Sequence, residues 1–460
     1  MKNYSYKPTD ENVLQLLKSN PIGRTQDIEQ FMMLLANMED DCYSIALNGA
    51  WGSGKTFFIK QIKLLLDAQN PRSPMDDESR NAVLSTVSQS FPIPESYTTV
   101  YYDAWINDNH NGPILSLVYT IVSNNLSEFS LGENRSFSKV VAALASALSG
   151  HDISTLLQEL NGPDTFLELK KTNNARTLVK DFINQLIQGN GNRLIFFIDE
   201  LDRCKPDYAI RFLERIKHYF DDERVTFVFA VSLSQLQSSV KTYYGLEYNA
   251  TRYLDKFFDI RISLRSIDLE SFANWHLNVG RDYIFENVAI EAAKYFNFSL
   301  REVERYGRMM KIAGSAIQKC SGGFPEERAK LFALSYVVPI MLALQMYDAE
   351  LYNKFVSGFE SAPMIDILLR PDVDMRIGFL LGPQETYDER RQIICSKEGK
   401  ISTTLSLSDR LKEVYLILFS KLRERGQHKI IGEMAFEYST RRCVEEIASM
   451  LSPQSEYQFE

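Results

Sequence analysis

A glycine-rich stretch, GAWGSGKT from Gly49 to Thr56, constrains the fold of this chain more than any other segment. It lies between a short apolar run, CYSIALNG from Cys42, and FFIKQIKLLLDA, in which apolar residues recur at helical spacing. We therefore predict a strand, a tight loop and a helix, in that order. A helix N-terminus presents free backbone N–H groups, and glycines let the backbone approach an anion closely. The stretch predicts a loop that binds phosphate groups.

The residue types along this loop fit the chemistry of a bound triphosphate. Its glycines supply backbone freedom, Lys55 reaches the β- and γ-phosphates, and the Thr56 hydroxyl is placed to ligate Mg²⁺. The pattern G-x-x-x-x-G-K-[ST] arises by chance in roughly one or two of a hundred chains of this length. The flanking strand and helix make chance rarer still. The predicted nucleotide-binding residues of the loop are Gly49, Ala50, Trp51, Gly52, Ser53, Gly54, Lys55, Thr56 and Phe57.

A second motif, LIFFIDELDRC, places acidic residues directly after an unbroken apolar run, Leu194 to Ile198. Such a run is typical of a parallel strand buried on both faces, and open parallel sheets bind ligands at the carboxyl ends of their strands. We predict that the carboxylate of Asp199 binds Mg²⁺. Side chains alternate along a strand, so Glu200 points differently and is the predicted general base for a water in line with the γ-phosphate. Alternatively, the carboxylates cap the strand, and Asp202 or Arg203 begins the next helix.

The wider pattern predicts an α/β protein. Further strands are predicted at Thr98 to Tyr102 and Val225 to Val231, and helical stretches between the strands indicate a parallel sheet flanked by helices. A stretch from the seventies to Glu95, rich in Ser, Pro and Asp, is predicted to be a surface loop. After about Ile262 the strand signals fade. The predicted domains are a P-loop NTPase domain at 1–262, a helical lid region at 263–330 and an all-helical C-terminal domain at 331–460.

Taken together, the motifs resemble the KAP family of P-loop NTPases, a branch of the AAA-like, additional-strand class. The resemblance rests on NPIGR at Asn20 to Arg24, GAWGSGKT, VYYDAW at Val100 to Trp105, FFIDELDRC at Phe196 to Cys204 and YLDKFF at Tyr253 to Phe258. It implies binding and hydrolysis of ATP with Mg²⁺. Many relatives carry transmembrane helices between the two phosphate-site motifs. Here the apolar part of that interval, 139–148, is about half the length that a spanning helix needs, so a soluble member is implied.

The resemblance also implies roles for residues outside the two main motifs. The segment before the first strand lies near the adenine in similar proteins, which makes Pro21, Ile22 and Gly23 base-pocket residues by resemblance; a simple turn is the alternative. Ser232 stands at the end of the fourth strand, where many relatives have Asp as a sensor of the γ-phosphate; a turn at the strand end is the alternative. Arg301, with Arg305 one helical turn later, matches the arginine helix of the family's lid, and a solvated basic face is the alternative.

Composition limits the partners and the compartment. A net charge of −9 argues against broad, charge-driven binding to nucleic acid or membranes, but it leaves room for a local basic patch such as Lys421 to Lys429. Five scattered cysteines without CxxC spacing predict neither a disulfide framework nor a zinc site. The N-terminus lacks the order of a signal peptide, and the apolar run Leu331 to Met346 is predicted to be a buried helix. A cytoplasmic protein without membrane contact is therefore predicted.

Two functions of different classes stay open. The first is an ATP-driven conformational switch that acts with partner proteins or as a homo-oligomer, in prokaryotic defence against phage or plasmids, as the resemblance implies. The second is a nucleotide-gated binding or scaffold module with slow or no turnover. A small-molecule kinase built on the same loop is less favoured, because the large helical C-terminal part does not match the compact lid of such enzymes.

Overall fold

The chain folds as two compact units, Met1–Ile267 and Asp268–Glu460. The boundary between them falls near the predicted end of the NTPase domain at 262, while the predicted lid boundary at 330 stays a prediction. The computed structural model describes residues 7–38, 42–88, 91, 93–94, 97–109, 112–125, 175–188, 191–265, 271–273, 277, 283–317, 324–373, 392–393, 405–421, 428–431 and 434–451. The apolar run 139–148 and residues 422–427 of the basic segment lie outside this part of the chain.

Five parallel strands form the sheet of the first unit, in the order β2-β3-β4-β1-β5. They are β1 (Tyr43–Asn48), β2 (Tyr97–Asp103), β3 (Arg193–Asp199), β4 (Val225–Val231) and β5 (Ile260–Ser263). β3 and β4 are almost wholly buried, which explains their unbroken apolar sequences. The register aligns Asp103 with Asp199 and Asn48 with Val231. Polar residues at the ends of neighbouring strands therefore meet at one edge, and the predicted α/β parallel sheet is confirmed.

Helices cover both faces of this sheet. They are α1 (Asp10–Ser19), α2 (Thr25–Ala36), α3 (Lys55–Gln69), α4 (Asp77–Leu84), α5 (Pro113–Asn125), α6 (Ala175–Gln188), α7 (Pro206–Tyr219), α8 (Leu233–Tyr244) and α9 (Ala250–Leu254), with a 3₁₀ turn at Leu201–Arg203. Alternation along the strands sends neighbouring side chains into two different core layers. Phe196 stacks on Phe227 in one layer, with ring centroids 4.8 Å apart, whereas Phe197 packs in the other.

The short helix α4 corrects the prediction of a surface loop between the seventies and Glu95. Its N-cap, Asp76, accepts hydrogen bonds from the backbone N–H of Ser79 at 2.8 Å and from the Ser79 hydroxyl at 2.7 Å. Arg80 donates to the carbonyl oxygen of Asn70 at 2.8 Å. The helix buries only Val83, so polar caps rather than apolar periodicity define it. This is why a search for apolar spacing misses it.

The second unit is mainly helical, as predicted, but four short strands show that its C-terminal region is not all-helical. Its helices are α10 (Tyr283–Tyr295), α11 (Leu300–Ile317), α12 (Pro325–Phe332), α13 (Val338–Tyr347), α14 (Ala349–Val356), α15 (Ala362–Leu368), α16 (Leu407–Leu416) and α17 (Tyr438–Leu451), with π-helical turns at Ala333–Val337 and Ile417–Lys421. Two short antiparallel pairs join β6 (Gln392–Ile393) to β7 (Leu405–Ser406) and β8 (His428–Ile431) to β9 (Met434–Glu437). Strands of two to four residues are too short to show a period in the sequence.

One helical run in the described part of the chain is long and apolar enough to cross a membrane by length and composition. It extends over Pro325–Tyr347, and 78% of its most apolar window is buried inside the protein. That burial agrees with the prediction of a buried helix at Leu331 to Met346. Core helices of globular units have the same composition.

Candidate nucleotide site

The loop between β1 and α3 has the backbone that a phosphate cradle requires. Gly52 and Gly54 have φ angles of 78° and 85°, in the left-handed region that favours glycine, and Gly54 is the N-cap of α3. The backbone N–H of Gly49 donates to the carbonyl oxygen of Val231 at 3.2 Å, which ties the loop to the end of β4. A Cβ at Gly49 would lie 2.6 Å from Ser53 Oγ, so the loop closes tightly on itself.

Two polar side chains of this loop have the properties of phosphate ligands. Lys55 Nζ donates to the carbonyl oxygens of Gly49 at 2.7 Å and Ala50 at 3.1 Å, so the ammonium folds back over the loop. Burial lowers the pKa of Lys55, while Asp202, Asp199 and Glu200 act in the opposite direction. The Ser53 hydroxyl is buried and, among the described residues, has no hydrogen-bond partner. A bound phosphate would satisfy both groups, so the loop fits a nucleotide.

Asp199 lies at the end of β3 with only 1% of its surface exposed. Its carboxylate accepts hydrogen bonds from the Tyr101 hydroxyl at 3.0 Å, from the backbone N–H of Glu200 at 3.0 Å and from the Thr56 hydroxyl. Burial raises the pKa of Asp199, and these donors oppose the rise. The strand end thus brings together the Thr56 hydroxyl and a carboxylate, two hard oxygen groups of the kind that bind Mg²⁺ beside substrate phosphates. Within the described residues no group of three His, Cys, Asp or Glu side chains forms a metal cage, and Mg²⁺ in nucleotide sites needs none.

Glu200 follows directly and has left-handed backbone geometry, with φ 58°, which is uncommon for a residue other than glycine. Its carboxylate forms an ion pair with Arg203 on the following 3₁₀ turn. Burial and the neighbouring Asp199 raise the pKa of Glu200 to about 7, and Arg203 opposes the rise. The Glu200 side chain is 19% exposed, whereas Asp199 is almost wholly buried, so the two carboxylates have different surroundings.

Asp202 joins three elements around the loop. Its Oδ2 accepts hydrogen bonds from Trp51 Nε1 at 2.8 Å and from the backbone N–H of Ser232 at 3.0 Å. It therefore connects the phosphate loop and the end of β4 to the 3₁₀ turn. Asp202 and Arg203 lie in that turn, and the helix α7 begins only at Pro206, so neither residue starts a helix.

The other predicted loop and strand-end residues occupy different settings. Ala50 and Trp51 are exposed, whereas Phe57 packs against the core. Ser232 is buried, and its hydroxyl hydrogen-bonds to that of Ser234 at 3.0 Å. Through Asp202 it belongs to the same network as the phosphate loop, while its predicted role as a sensor stays a prediction.

The remaining predicted residues lie in the turn before α2 and on a helix of the second unit. Ile22 is buried and Gly23 has a φ of 65°, in the turn just before α2. Arg301 is exposed on α11 of the second unit, as is Arg305. Their predicted contacts with adenine and with the phosphates remain predictions.

Two further residues of the site, Arg24 and Tyr101, lie in the motifs NPIGR and VYYDAW, but the sequence predicts no role for either. Arg24 closes the NPIGR segment, is 3% exposed, and donates to Asp27 at 2.7 Å, to the carbonyl oxygen of Arg265 at 2.9 Å and to that of Ser53 at 3.3 Å. It fastens the start of α2 to the phosphate loop. Tyr101, within VYYDAW, donates to Asp199. Their places inside family motifs were the only sequence signals for these contacts.

Comparison with known families settles what kind of domain this is. A family model described as the KAP family P-loop domain matches residues 24–311. The chain belongs to the KAP family. The match includes the phosphate loop and the acidic end of β3, and it extends beyond the sheet through most of α11. This KAP protein therefore carries a nucleotide-binding P-loop. No curated protein matches the chain.

Proposed function

We propose that this KAP protein binds ATP with Mg²⁺, hydrolyses the β–γ phosphoanhydride and uses the cycle as a conformational switch. The observation that carries the proposal is the meeting of Lys55, Thr56, Asp199 and Glu200 at one edge of the sheet. Phosphoryl transfer to water requires these groups. Lys55 is the cation for the phosphates, Thr56 and Asp199 are the hydroxyl and the carboxylate for Mg²⁺, and Glu200 is the carboxylate for the attacking water.

In this proposal the loop from Gly49 to Phe57 receives the triphosphate. Lys55 Nζ leaves the two loop carbonyls that it contacts here and binds the β- and γ-phosphates, while free N–H groups at the start of α3 face the same oxygens. Ile22 and Gly23 lie beside the adenine. Ser232 senses the γ-phosphate from the end of β4, and Arg301 approaches it from the helical lid.

Thr56 and Asp199 are the residues that would hold Mg²⁺, and Tyr101 and the backbone N–H of Glu200 orient the carboxylate. When bound, Mg²⁺ neutralises charge on the phosphate oxygens. Glu200 accepts a proton from the attacking water. The water oxygen forms a bond to the γ-phosphorus, the bond from that phosphorus to the β–γ bridging oxygen breaks, and ADP and phosphate leave.

Phosphate release from ATP by purified protein with Mg²⁺ tests the proposal. We expect Lys55→Ala to abolish release, and Glu200→Gln to bind ATP but to turn over about 10²- to 10⁴-fold more slowly, the usual contribution of a general base. Lys241→Ala, on the exposed face of α8, is the matched control and should keep wild-type activity. Release that survives Lys55→Ala would refute hydrolysis at this site. Tight ATP binding without turnover would favour the scaffold function instead.

The biological role in this proposal is defence against phage or plasmids, in the cytoplasm, with partner proteins or as a homo-oligomer. Kinship with the KAP family supports it. Phage plating on cells that express wild-type protein or Lys55→Ala tests the role, and equal plaque counts would count against it. Size-exclusion with light scattering, with and without ATP and Mg²⁺, on wild type and Glu200→Gln tests assembly. An identical mass in every condition would refute nucleotide-driven assembly.

A further inference from the structure

Two half-exposed indole rings flank one guanidinium at the rim of the nucleotide site. Trp51 is 49% exposed and Trp105 is 50% exposed. The Cζ atom of Arg203 lies over both rings, 5.6 Å from the centroid of Trp51 and 5.4 Å from that of Trp105. Both distances are within the range of cation–π attraction. One arginine is therefore held by two aromatic partners from different parts of the chain.

The same arginine forms the ion pair with Glu200. Both side chains have 19% of their surface exposed, so the pair is largely shielded from water. The backbone N–H of Arg203 also donates to the carbonyl oxygen of Glu200 at 3.1 Å, which closes the 3₁₀ turn between them. The charged ends of the two residues are thus brought together by a hydrogen-bonded local turn.

The two indoles come from different elements of the site. Trp51 donates from Nε1 to Asp202 at 2.8 Å, and Asp202 also binds the end of β4 through Ser232. Trp105 lies two residues after Asp103, the last residue of β2, and Asp103 is paired in register with Asp199. The two rings thus belong to the phosphate loop and to the turn that follows β2, the strand next to β3.

We propose that Arg203 is a positioning residue for Glu200, and that Trp51 and Trp105 hold Arg203 in the place from which it directs the carboxylate. An arginine side chain loses much rotational freedom on being fixed, and stacking on planar rings orders it before the ion pair forms. The inference deepens the proposed hydrolysis and rests on it. Trp51 belongs to the phosphate loop and contacts Arg203. The loop that receives the nucleotide is therefore linked to Glu200 through Trp51 and Arg203.

Steady-state ATP hydrolysis by single and paired variants tests this inference. We expect Arg203→Gln to lower kcat by about tenfold or more, as small misplacements of catalytic groups do, with KM within about twofold of wild type. Arg203→Lys keeps the charge and should recover part of kcat. In the Glu200→Gln background, Arg203→Gln should have no further effect, since Arg203 acts through that carboxylate.

The role of the indoles in holding Arg203 is tested at Trp105. A substitution of Trp51 would also change the phosphate loop itself. Trp105→Leu should lower kcat several-fold in the wild type and should add nothing in Arg203→Gln. Arg215→Gln is the matched control, since Arg215 lies 5.8 Å from the ring of Tyr219 on α7 in a comparable cation–π pair. It should leave kcat and KM unchanged. Affinity for a fluorescent ATP analogue and thermal melting show that each variant is folded.

The outcomes separate this inference from the proposed function. If the wild type shows no phosphate release that depends on Lys55, hydrolysis is refuted and the inference with it. If the wild type hydrolyses ATP but Arg203→Gln keeps its kcat or exceeds it, only the inference is overturned. Equal effects of Trp105→Leu in both backgrounds would also overturn it. If Arg203→Gln does not fold, Trp105→Leu decides, and a wild-type kcat in that variant refutes the positioning role.

Discussion

Removing a single hydroxyl from Tyr101 tests how the buried carboxylate of Asp199 is oriented. In the wild type the Tyr101 hydroxyl donates to Asp199 Oδ2 at 3.0 Å. Tyr101→Phe deletes that donor and keeps the ring, which packs beside Lys60 with Nζ 4.5 Å from the ring centroid. The substitution therefore changes one hydrogen bond and little else.

The expected magnitude follows from the partners that Asp199 keeps. A hydrogen bond to a charged group contributes about 1.5–3 kcal/mol. Asp199 still accepts from Thr56 and from the backbone N–H of Glu200, so we expect the lower end, about 1.5 kcal/mol. If the carboxylate is oriented for Mg²⁺, that energy corresponds to a loss of roughly tenfold in Mg²⁺ affinity, within the range for partners that orient metal ligands.

A Mg²⁺ titration at constant ATP measures this change in two ways, as phosphate release and as thermal stabilisation of the protein. The midpoint should rise about tenfold in Tyr101→Phe. Tyr102→Phe is the matched control, because Tyr102 is adjacent on β2 but packs on the other face of the sheet. Its hydroxyl binds Ser116 at 3.0 Å and Tyr208 at 2.7 Å. That control should lose about 1 kcal/mol of stability and keep the wild-type midpoint.

The reasoning would be refuted by a midpoint for Tyr101→Phe within twofold of the wild type. It would also be refuted if the two tyrosine variants shifted the midpoint equally, because the effect would then come from general destabilisation. The thermal readout does not require turnover. It therefore remains informative if the protein binds nucleotide without hydrolysing it.

Two further predictions concern the frame of the site. Gly54→Ala places a Cβ on a residue with φ 85°, so we expect it to lower the unfolding free energy by about 1–2 kcal/mol and to weaken nucleotide affinity. Urea unfolding and nucleotide titration measure the two effects. Wild-type values for both would contradict the strain argument. Arg24→Met removes one partner of the buried ion pair with Asp27, although Asp27 keeps Arg265 at 3.2 Å. We therefore expect the unfolding free energy to fall by about 3 kcal/mol. A change below about 1 kcal/mol would show that Arg24 does not fasten α2 to the loop.

Local signals in the sequence predict the phosphate loop and the acidic end of β3 well. The loop is identified by residue types within eight positions, and β3 by an unbroken apolar run. The helix α4 is missed because it is held by the N-cap Asp76 and by Arg80 inside the helix, which bind polar atoms rather than bury an apolar stripe. Such capping contacts depend on only a few side chains, so periodicity does not reveal them.

The sequence alone determined that phosphate binds between β1 and α3, because the backbone angles at Gly52 and Gly54 and the helix that follows are local properties of that segment. The tertiary structure decided what surrounds the acidic residues at the end of β3 and in the turn that follows it. Tyr101 reaches Asp199 across 98 residues, and Trp51 reaches Asp202 across 151. Burial and hydrogen bonding depend on which strands become neighbours in the sheet, and that is fixed only when the whole domain has folded.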